Sequence, residues 1–235
     1  MKATDQFKPC LLNEKGLNLQ AVFNINELPE EIIKHLKTEH STLEDYQQLI
    51  LIGHGGNFLW QSMQQYPSGS TNPIDEYSIK TVNKWFTVNY PENNAKLIYP
   101  GKYTIALQTL GTLAGWHHVS PFMVGINTEW GSWYAYRAVL LTDTRFKVTQ
   151  AIKSSSPCSA CENKVCIEHC PPNACKSGSL NMDACIDYRK SKGSKCRETC
   201  LARINCPVAS EHSYSEQQIN YHYAVSMKTI ETYNY

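Results

Sequence analysis

The sequence predicts an α+β sheet domain, followed by a small cysteine-rich module and a helical tail. Three observations carry that expectation. Apolar runs of strand length alternate with stretches of helical spacing as far as Phe146. Nine of the ten cysteines lie between Cys158 and Cys206. That stretch also holds too few apolar residues for a core of its own, so bound metal would have to supply its cohesion. A chain of 235 residues has room for one domain of about 150 residues and such a module. The divisions read from the chain are 1–150, 151–210 and 211–235.

The elements follow in order. Leu17–Phe23 alternates apolar and polar residues, the pattern of a half-buried strand. Leu28-Pro29-Glu30-Glu31-Ile32-Ile33 places proline and acids in a first turn and begins a helix. Leu49–Gly53 is a short apolar run that reads as a buried strand, and His54-Gly55-Gly56-Asn57 reads as the turn into a helix over Phe58–Gln65. Asn72-Pro73 caps a helix over Pro73–Phe86. Thr104–Ala114 has helical spacing, with Gly115 beyond its end. Phe122–Ile126 and Trp133–Leu141 read as strands around the turn residues Asn127–Ser132. Lys147–Pro157, with three consecutive serines, is a linker. Ser215–Ile230 has helical spacing and is expected to pack back onto the body. A mixture of this kind belongs to the α+β class.

Composition narrows the function. Net charge is +1, so no general attraction to a polyanion is expected and nucleic acid is a disfavoured partner. The start, Met1 to Gln6, lacks the basic and apolar segments of an export signal. The longest apolar runs are too short to span a bilayer. A cytoplasmic location is therefore expected, with reduced thiols, which favours metal over disulfides.

The cysteines fall into two runs. The first is Cys158-x2-Cys161-x4-Cys166-x3-Cys170-Pro171; the second is Cys185, then Cys196-x3-Cys200-x5-Cys206-Pro207. Each ends in Cys-Pro, and the first resembles the bacterial ferredoxin pattern with two residues inserted. A ferredoxin-type 4Fe-4S cube takes three thiolates from one run and the fourth from the Cys-Pro of the other. On that plan Cys158, Cys161, Cys166 and Cys206 hold one cube, and Cys170, Cys185, Cys196 and Cys200 a second. Cys175 is left as a small buried side chain. A single cube, a zinc site of four thiolates and a disulfide-stapled module are the alternatives. His169, inside the first run, reads as solvent-facing.

The order Gly131-Ser132-Trp133, a strand to Thr142-Asp143, the first cysteine run, Asp183-Ala184-Cys185-Ile186-Asp187-Tyr188 and the last Cys-Pro resembles the second half of epoxyqueuosine reductase, a cobalamin-dependent enzyme with two 4Fe-4S clusters. Gly55-Gly56-Asn57-Phe58-Leu59-Trp60 and Asn72-Pro73-Ile74-Asp75-Glu76-Tyr77 look more like its relative, the vitamin B12 processing protein that decyanates and dealkylates cobalamins. The resemblance covers Leu49–Pro207. It implies a nitroreductase-like sheet domain holding a corrinoid, followed by a ferredoxin-like dicluster module. Electrons would pass through the clusters to cobalt in cobalamin reduction or upper-ligand removal. A ferredoxin or flavodoxin would be the donor protein.

Two departures bear on substrate. The acidic proton donor of the reductase family falls on Gly101, between Pro100 and Lys102, and the C-terminal helical repeats used around tRNA find no room in the chain. Both weigh against epoxyqueuosine reduction, which stays as an alternative beside a non-catalytic iron–sulfur electron carrier. Flavin is the less favoured alternative to the corrinoid, and one absorption spectrum separates them. The expected cofactor-binding residues are Gly55, Gly56, Asn57, Trp116, His117, His118, Ser132 and Trp133, with Arg137 sharing a strand with the last. Gly53–Asn57 lacks the G-x-G-x-x-G spacing of a dinucleotide site; its place between strand and helix suits a tight turn or an anion. His117 and His118 could approach cobalt. Tyr103, Tyr134 and Tyr136 are the candidate proton donors.

Overall fold

The computed structural model describes residues 5–66, 68–151, 153–176 and 179–232. Residues 1–4, part of the N-terminal segment read above as lacking an export signal, lie outside them. The fold mixes α and β around a four-stranded antiparallel sheet. Strands β1 (Leu19–Asn24), β2 (Gln48–Gly55), β3 (Ala95–Tyr99) and β4 (Tyr134–Thr142) stand in the order β1-β2-β4-β3. The α-helices are α1 (Cys10–Glu14), α2 (Glu30–Glu39), α3 (Phe58–Gln64), α4 (Pro73–Asn89), α5 (Leu107–Leu113), α6 (Pro157–Ala160), α7 (Val165–Glu168), α8 (Met182–Lys190), α9 (Leu201–Ile204) and α10 (Glu216–Thr232). Two compact units result. Met1–Gly115 with Tyr134–Ile152 form the first, and Trp116–Trp133 with Lys153–Tyr235 the second.

In the first unit, every residue of β2 is buried, and its centre, Leu49–Ile52, is continuous apolar sequence. A strand with no solvent side has no reason to alternate. It pairs with β1 and β4, Leu51 lying opposite Ala21 and Val139. Edge strand β3 buries only Ile98 fully, which explains why it left no pattern in the sequence. Helix α4 starts at Pro73 after Asn72, carries Asp75 and Glu76 in its first turn, where acids suit the helix dipole, and packs on β4. Its Trp85 is fully buried between Phe7, Phe86 and Tyr90, with ring centroids 5.3 to 5.9 Å away. Burying such a side chain is worth about 2–3 kcal/mol. Its indole N–H donates to the Lys8 carbonyl at 2.7 Å. Buried Gln48 donates to the Phe146 carbonyl and accepts from the Phe146 N–H, both at 2.8 Å, which ties down the chain leaving β4.

Several local expectations shift, each for a visible reason. The first strand begins at Leu19 because the Leu17 N–H still closes the end of α1 on the Leu12 carbonyl at 2.9 Å. His54 and Gly55, expected in a turn, extend β2. The Asn18 side chain bonds the backbone of Gly55 at 2.9 and 3.3 Å, as a neighbouring strand would. The helix expected over Thr104–Ala114 forms only from Leu107, since the Leu107 N–H bonds the Ile105 carbonyl (2.8 Å) in a tighter three-residue turn. Phe122–Ile126 is not a strand. Met123 takes φ 66° and closes a turn on the Ser120 carbonyl at 3.0 Å, leaving only isolated bridges at Ile126 and Asn127. Thr149, inside the expected linker, exchanges hydrogen bonds of 2.9 and 3.0 Å with Val22 of β1.

In the second unit, hydrocarbon is scarce and thiols take its place. Phe122, Ile126, Ala174 and Ala202 share a buried cluster with Cys166, Cys170, Cys175 and Cys206. Helix α10 packs within this unit, Met227 and Ile230 on Ile186 of α8, and Ile219 on Trp133 and Tyr214. Gly131 adopts φ 55°, and a Cβ there would stand 2.2 Å from the Val208 carbonyl oxygen. The position therefore needs glycine for both its dihedral and its clearance. Among the described residues no helix is long and apolar enough to cross a membrane.

Candidate metal centre

The cysteine-rich part is built twice on one plan. Helix α7 carries Cys166 and ends just before Cys170; α9 follows Cys200 and ends just before Cys206. In each case the backbone N–H of the Cys-Pro cysteine closes on the preceding turn, Cys170 on Ile167 (3.3 Å) and Cys206 on Arg203 (3.1 Å). Proline then forbids continuation of the helix. The third residue after each cysteine, Asn173 or Ala209, takes positive φ (54° and 50°) and turns the chain back. For alanine that conformation costs about 1–2 kcal/mol, so packing must hold it. Helices α7 and α9 lie against each other. Asn181 caps α8 by accepting from the Ala184 N–H at 3.1 Å and so sets Cys185 in the first turn. Lys164, at φ 39°, donates to the Cys158 carbonyl at 3.0 Å and fastens the loop between Cys158 and Cys161.

The ten cysteines are all free thiols. Nine of them lie in the second unit, with Cys10 apart in the first. Burial pushes the Cys166 thiol above its usual value, and the fields of Cys206, Cys158 and Cys161 add to it. Cys158 is raised likewise by burial, then by Cys206 and Cys161. The second group is Cys170, Cys185, Cys196 and Cys200. Burial raises Cys185 and Cys196, and both feel Cys200 and Cys170. This second group, together with Cys175, lines a cavity of about 600 Å³ with apolar walls that include Phe122, Leu180 and Ile186. Cys175, fully buried, bonds Cys170 and feels Cys200 and Cys166.

Thiols held this close oppose one another's ionisation; a cationic centre reverses that sign and makes thiolates the stable form. Zinc would hold four sulfurs about 3.8 Å apart, from Zn–S bonds near 2.3 Å. Among the described residues no three His, Cys, Asp or Glu side chains close so tightly round one point.

Three residues here escaped the sequence reading. Arg189, buried, lies one turn after Cys185 on α8. It donates to the carbonyls of Cys196 (3.2 Å), Arg197 (3.3 Å) and Tyr223 (3.1 Å) and to the Ser226 hydroxyl (3.0 Å). Arg203, also buried, follows Cys200 by three residues. It donates to the Ser132 carbonyl at 2.6 Å and lies over the rings of Trp133 (4.8 Å) and Tyr214 (5.1 Å). The Tyr223 hydroxyl bonds both Arg203 and Cys200. Burial, more than any charge, pushes the Tyr223 phenol up. The available signal was arginine at helical spacing after a ligand-type cysteine.

The remaining expected site residues divide between the units. In the first, Gly55 ends β2, Gly56 has φ 74° and Asn57 precedes α3. His54 accepts from Arg137 Nε at 3.0 Å. Tyr134 bonds Tyr136, whose phenol burial pushes up to about 12. Tyr103 stacks edge-on to His40 at 4.3 Å. In the second, Trp116 accepts from Asn127 Nδ2 (3.2 Å), and burial, then His118, lowers the His117 imidazole. His118 pairs with Ile126 and bonds Ser154 at 3.1 Å. Ser132 and Trp133 are fully buried beneath Arg203.

No family model matches the chain, and no curated protein matches it in sequence. Solved structures match its fold. An epoxyqueuosine reductase from Streptococcus thermophilus aligns over 85% of this chain and 64% of its own, at 14% identity and a TM-score of 0.52. An epoxyqueuosine reductase bound to an epoxyqueuosine-modified tRNA stem loop aligns over 88% of this chain and 66% of its own, at 12% identity and a TM-score of 0.53. A reductive dehalogenase studied for B12-dependent dehalogenation aligns over 98% of this chain and 38% of its own, at 13% identity and a TM-score of 0.52. The chain thus spans just under two thirds of those reductases and little more than a third of the dehalogenase. The likeness is one of fold, shared with epoxyqueuosine reductases and with a reductive dehalogenase studied for B12-dependent dehalogenation.

Proposed function

We propose that this chain is an iron–sulfur oxidoreductase that delivers electrons to a bound corrinoid, in cobalamin reduction or removal of cobalt's upper ligand. The observation that carries the proposal is the convergence of nine thiols within one unit, in a fold shared with a B12-linked dehalogenase. Cys158, Cys161, Cys166 and Cys206 would hold one cube, and Cys170, Cys185, Cys196 and Cys200 the other, in a ferredoxin-like module. The nitroreductase-like role would fall to the first unit, where Gly55, Gly56 and Asn57 join β2 to α3. When bound, the clusters supply one-electron steps and the corrinoid supplies the reductive chemistry. The protein's own part is to hold thiolates, exclude water with Phe122, Ile126, Ala174 and Ala202, and place a proton donor. Tyr134 and Tyr136, bonded to each other, are stronger candidates for that than Tyr103.

The test is anaerobic reconstitution with iron and sulfide, then titration with cob(II)alamin followed by the visible spectrum. A saturating spectral change at one corrinoid per chain supports the proposal. An unchanged sum of spectra contradicts it, and a flavin spectrum in the purified protein would transfer the role to flavin. A second reading, epoxyqueuosine reduction on tRNA, is favoured by the likeness to the tRNA-bound enzyme. Gly101 occupies the acid position, so this reading would need another donor; restoration of queuosine in a deficient strain decides it.

A further inference from the structure

We propose that the basic loop at the end of α8, Lys190–Arg197, is the docking surface for an acidic one-electron carrier protein, which reduces a cluster held by Cys170, Cys185, Cys196 and Cys200. The proposal rests on the iron–sulfur reading above and adds to it the face and the charge of the partner. Lys190, Lys192, Lys195 and Arg197 fall within eight residues that contain no acid, and all four are exposed. The whole chain carries only +1, so this positive charge is local.

Hydrogen bonds fix the loop in place. The Ser194 N–H bonds the Ser191 carbonyl at 3.2 Å, the Cys196 N–H the Ser194 hydroxyl at 3.1 Å, and the Lys195 N–H the Tyr188 hydroxyl at 3.4 Å. Buried Arg189 donates to the Cys196 and Arg197 carbonyls and, on α10, to Tyr223 and Ser226. The loop is thereby tied to both α8 and α10. At its tip a Cβ on Gly193 would meet nothing within 4 Å, so the turn faces open space. Arg197 pairs with Glu231 at 2.5 Å, whereas Lys192 and Lys195 join no ion pair among the described residues.

Charge separates the two cysteine stretches. From Cys158 to Cys170 the exposed Asp, Glu, Lys and Arg side chains are Glu162, Lys164 and Glu168, which disfavour an acidic partner. Cys196, by contrast, is itself buried between exposed Lys195 and Arg197, and the neighbouring acids Asp187 and Glu198 are outnumbered. Surfaces for single-stranded nucleic acid pair cations with aromatic rings that stack on bases; Lys190–Glu198 has no aromatic residue. Exposed Met182 and Val225 instead lie on α8 and α10, the helices that hold the loop. Apolar side chains with a charged margin, methionine among them, suit a protein interface. In the docked pair one electron leaves the reduced carrier and enters the cluster. The carrier is oxidised and the cluster reduced; no bond breaks and no proton moves.

The experiment is stopped-flow reduction of the reconstituted full chain by a photoreduced acidic plant-type ferredoxin. Wild type is compared with a variant combining Lys192→Glu and Lys195→Glu, with iron counted in each. Raising ionic strength from about 10 to about 100 mM shortens the screening length from about 30 to about 10 Å. The wild-type second-order rate constant should fall about tenfold over that range. The variant should keep its iron, be reduced by dithionite to the same extent, begin about tenfold slower with ferredoxin, and change little with salt. A wild-type rate that ignores salt overturns the proposal without any variant. So does a variant as fast and as salt-sensitive as the wild type. If a fluorescent tRNA stem loop binds the wild type and not the variant, while ferredoxin reduces both alike, the loop serves nucleic acid and the proposal falls. Should the variant lose iron, the wild-type salt series decides alone. A wild-type chain that takes up no iron ends the iron–sulfur reading and this proposal with it, whereas each of the other failures leaves that reading standing.

Discussion

At the scale of single residues, the proposed clusters use eight thiols of the second unit and leave Cys175 out. Cys206→Ala should lower reconstituted iron from about eight to about four atoms per chain, because a cube needs all its thiolates. Cys175→Ala should leave the count unchanged; equal losses in the two variants would refute the grouping. His40 offers a pH prediction in the first unit. Its ring is buried with neither nitrogen hydrogen-bonded among the described residues. Burial and then Lys96 lower its pKa, while Glu39 opposes them and His35 adds to them; Tyr103 packs on its ring. Below about pH 6.5 the unfolded chain takes up a proton that the folded ring resists, so stability present at neutral pH drains away as pH falls. His40→Phe should remove that acid dependence and match the wild type at pH 8 in urea unfolding. A variant with the same acid slope would show that the loss arises elsewhere. The sequence made the cysteines legible because thiolate ligation forces both residue type and spacing. Arg189, Arg203 and Tyr223 stayed hidden because any helix surface carries such residues, and only the folded chain shows which are buried.

At the scale of elements, the Gly131-Ser132-Trp133 segment gains a physical meaning that its motif alone lacked. Glycine lets the chain pass against Val208, just beyond Cys206-Pro207, while Ser132 and Trp133 receive Arg203. Gly131→Ala should cost about 3 kcal/mol, from a strained dihedral and a backbone clash together, and should shift unfolding of the second unit to lower urea, read by tryptophan fluorescence. An unshifted midpoint would mean that the close approach relaxes freely. Strong local patterns were readable: β2, β4, α4 and α10 lie within a few residues of where their periodicity or capping put them. What failed was set by contacts remote in sequence. Edge strand β3 pairs only with β4 and needs no apolar pattern. Phe122–Ile126 has strand-like composition, yet the Ser120–Met123 turn bends it away.

At the scale of the whole molecule, the mixture of α and β was legible in the sequence, and the fold is shared with epoxyqueuosine reductases at 12–14% identity. Substrate was not legible, since it depends on few residues, and the acid position that the resemblance implies falls on Gly101. Its backbone has room: a Cβ there would meet only the Ile98 carbonyl, at 3.7 Å. Gly101→Asp should therefore fold with wild-type stability to within about 0.5 kcal/mol, checked by urea unfolding, and a loss of several times that would show that glycine is required there for structure. Everything in the functional account depends on the eight thiols carrying iron. The most direct test is iron, acid-labile sulfide and zinc measured together on anaerobically purified chain. The account predicts about eight irons and about eight sulfides per chain, four of each per cube, with no stoichiometric zinc; iron-free protein with zinc or paired cysteines would contradict it.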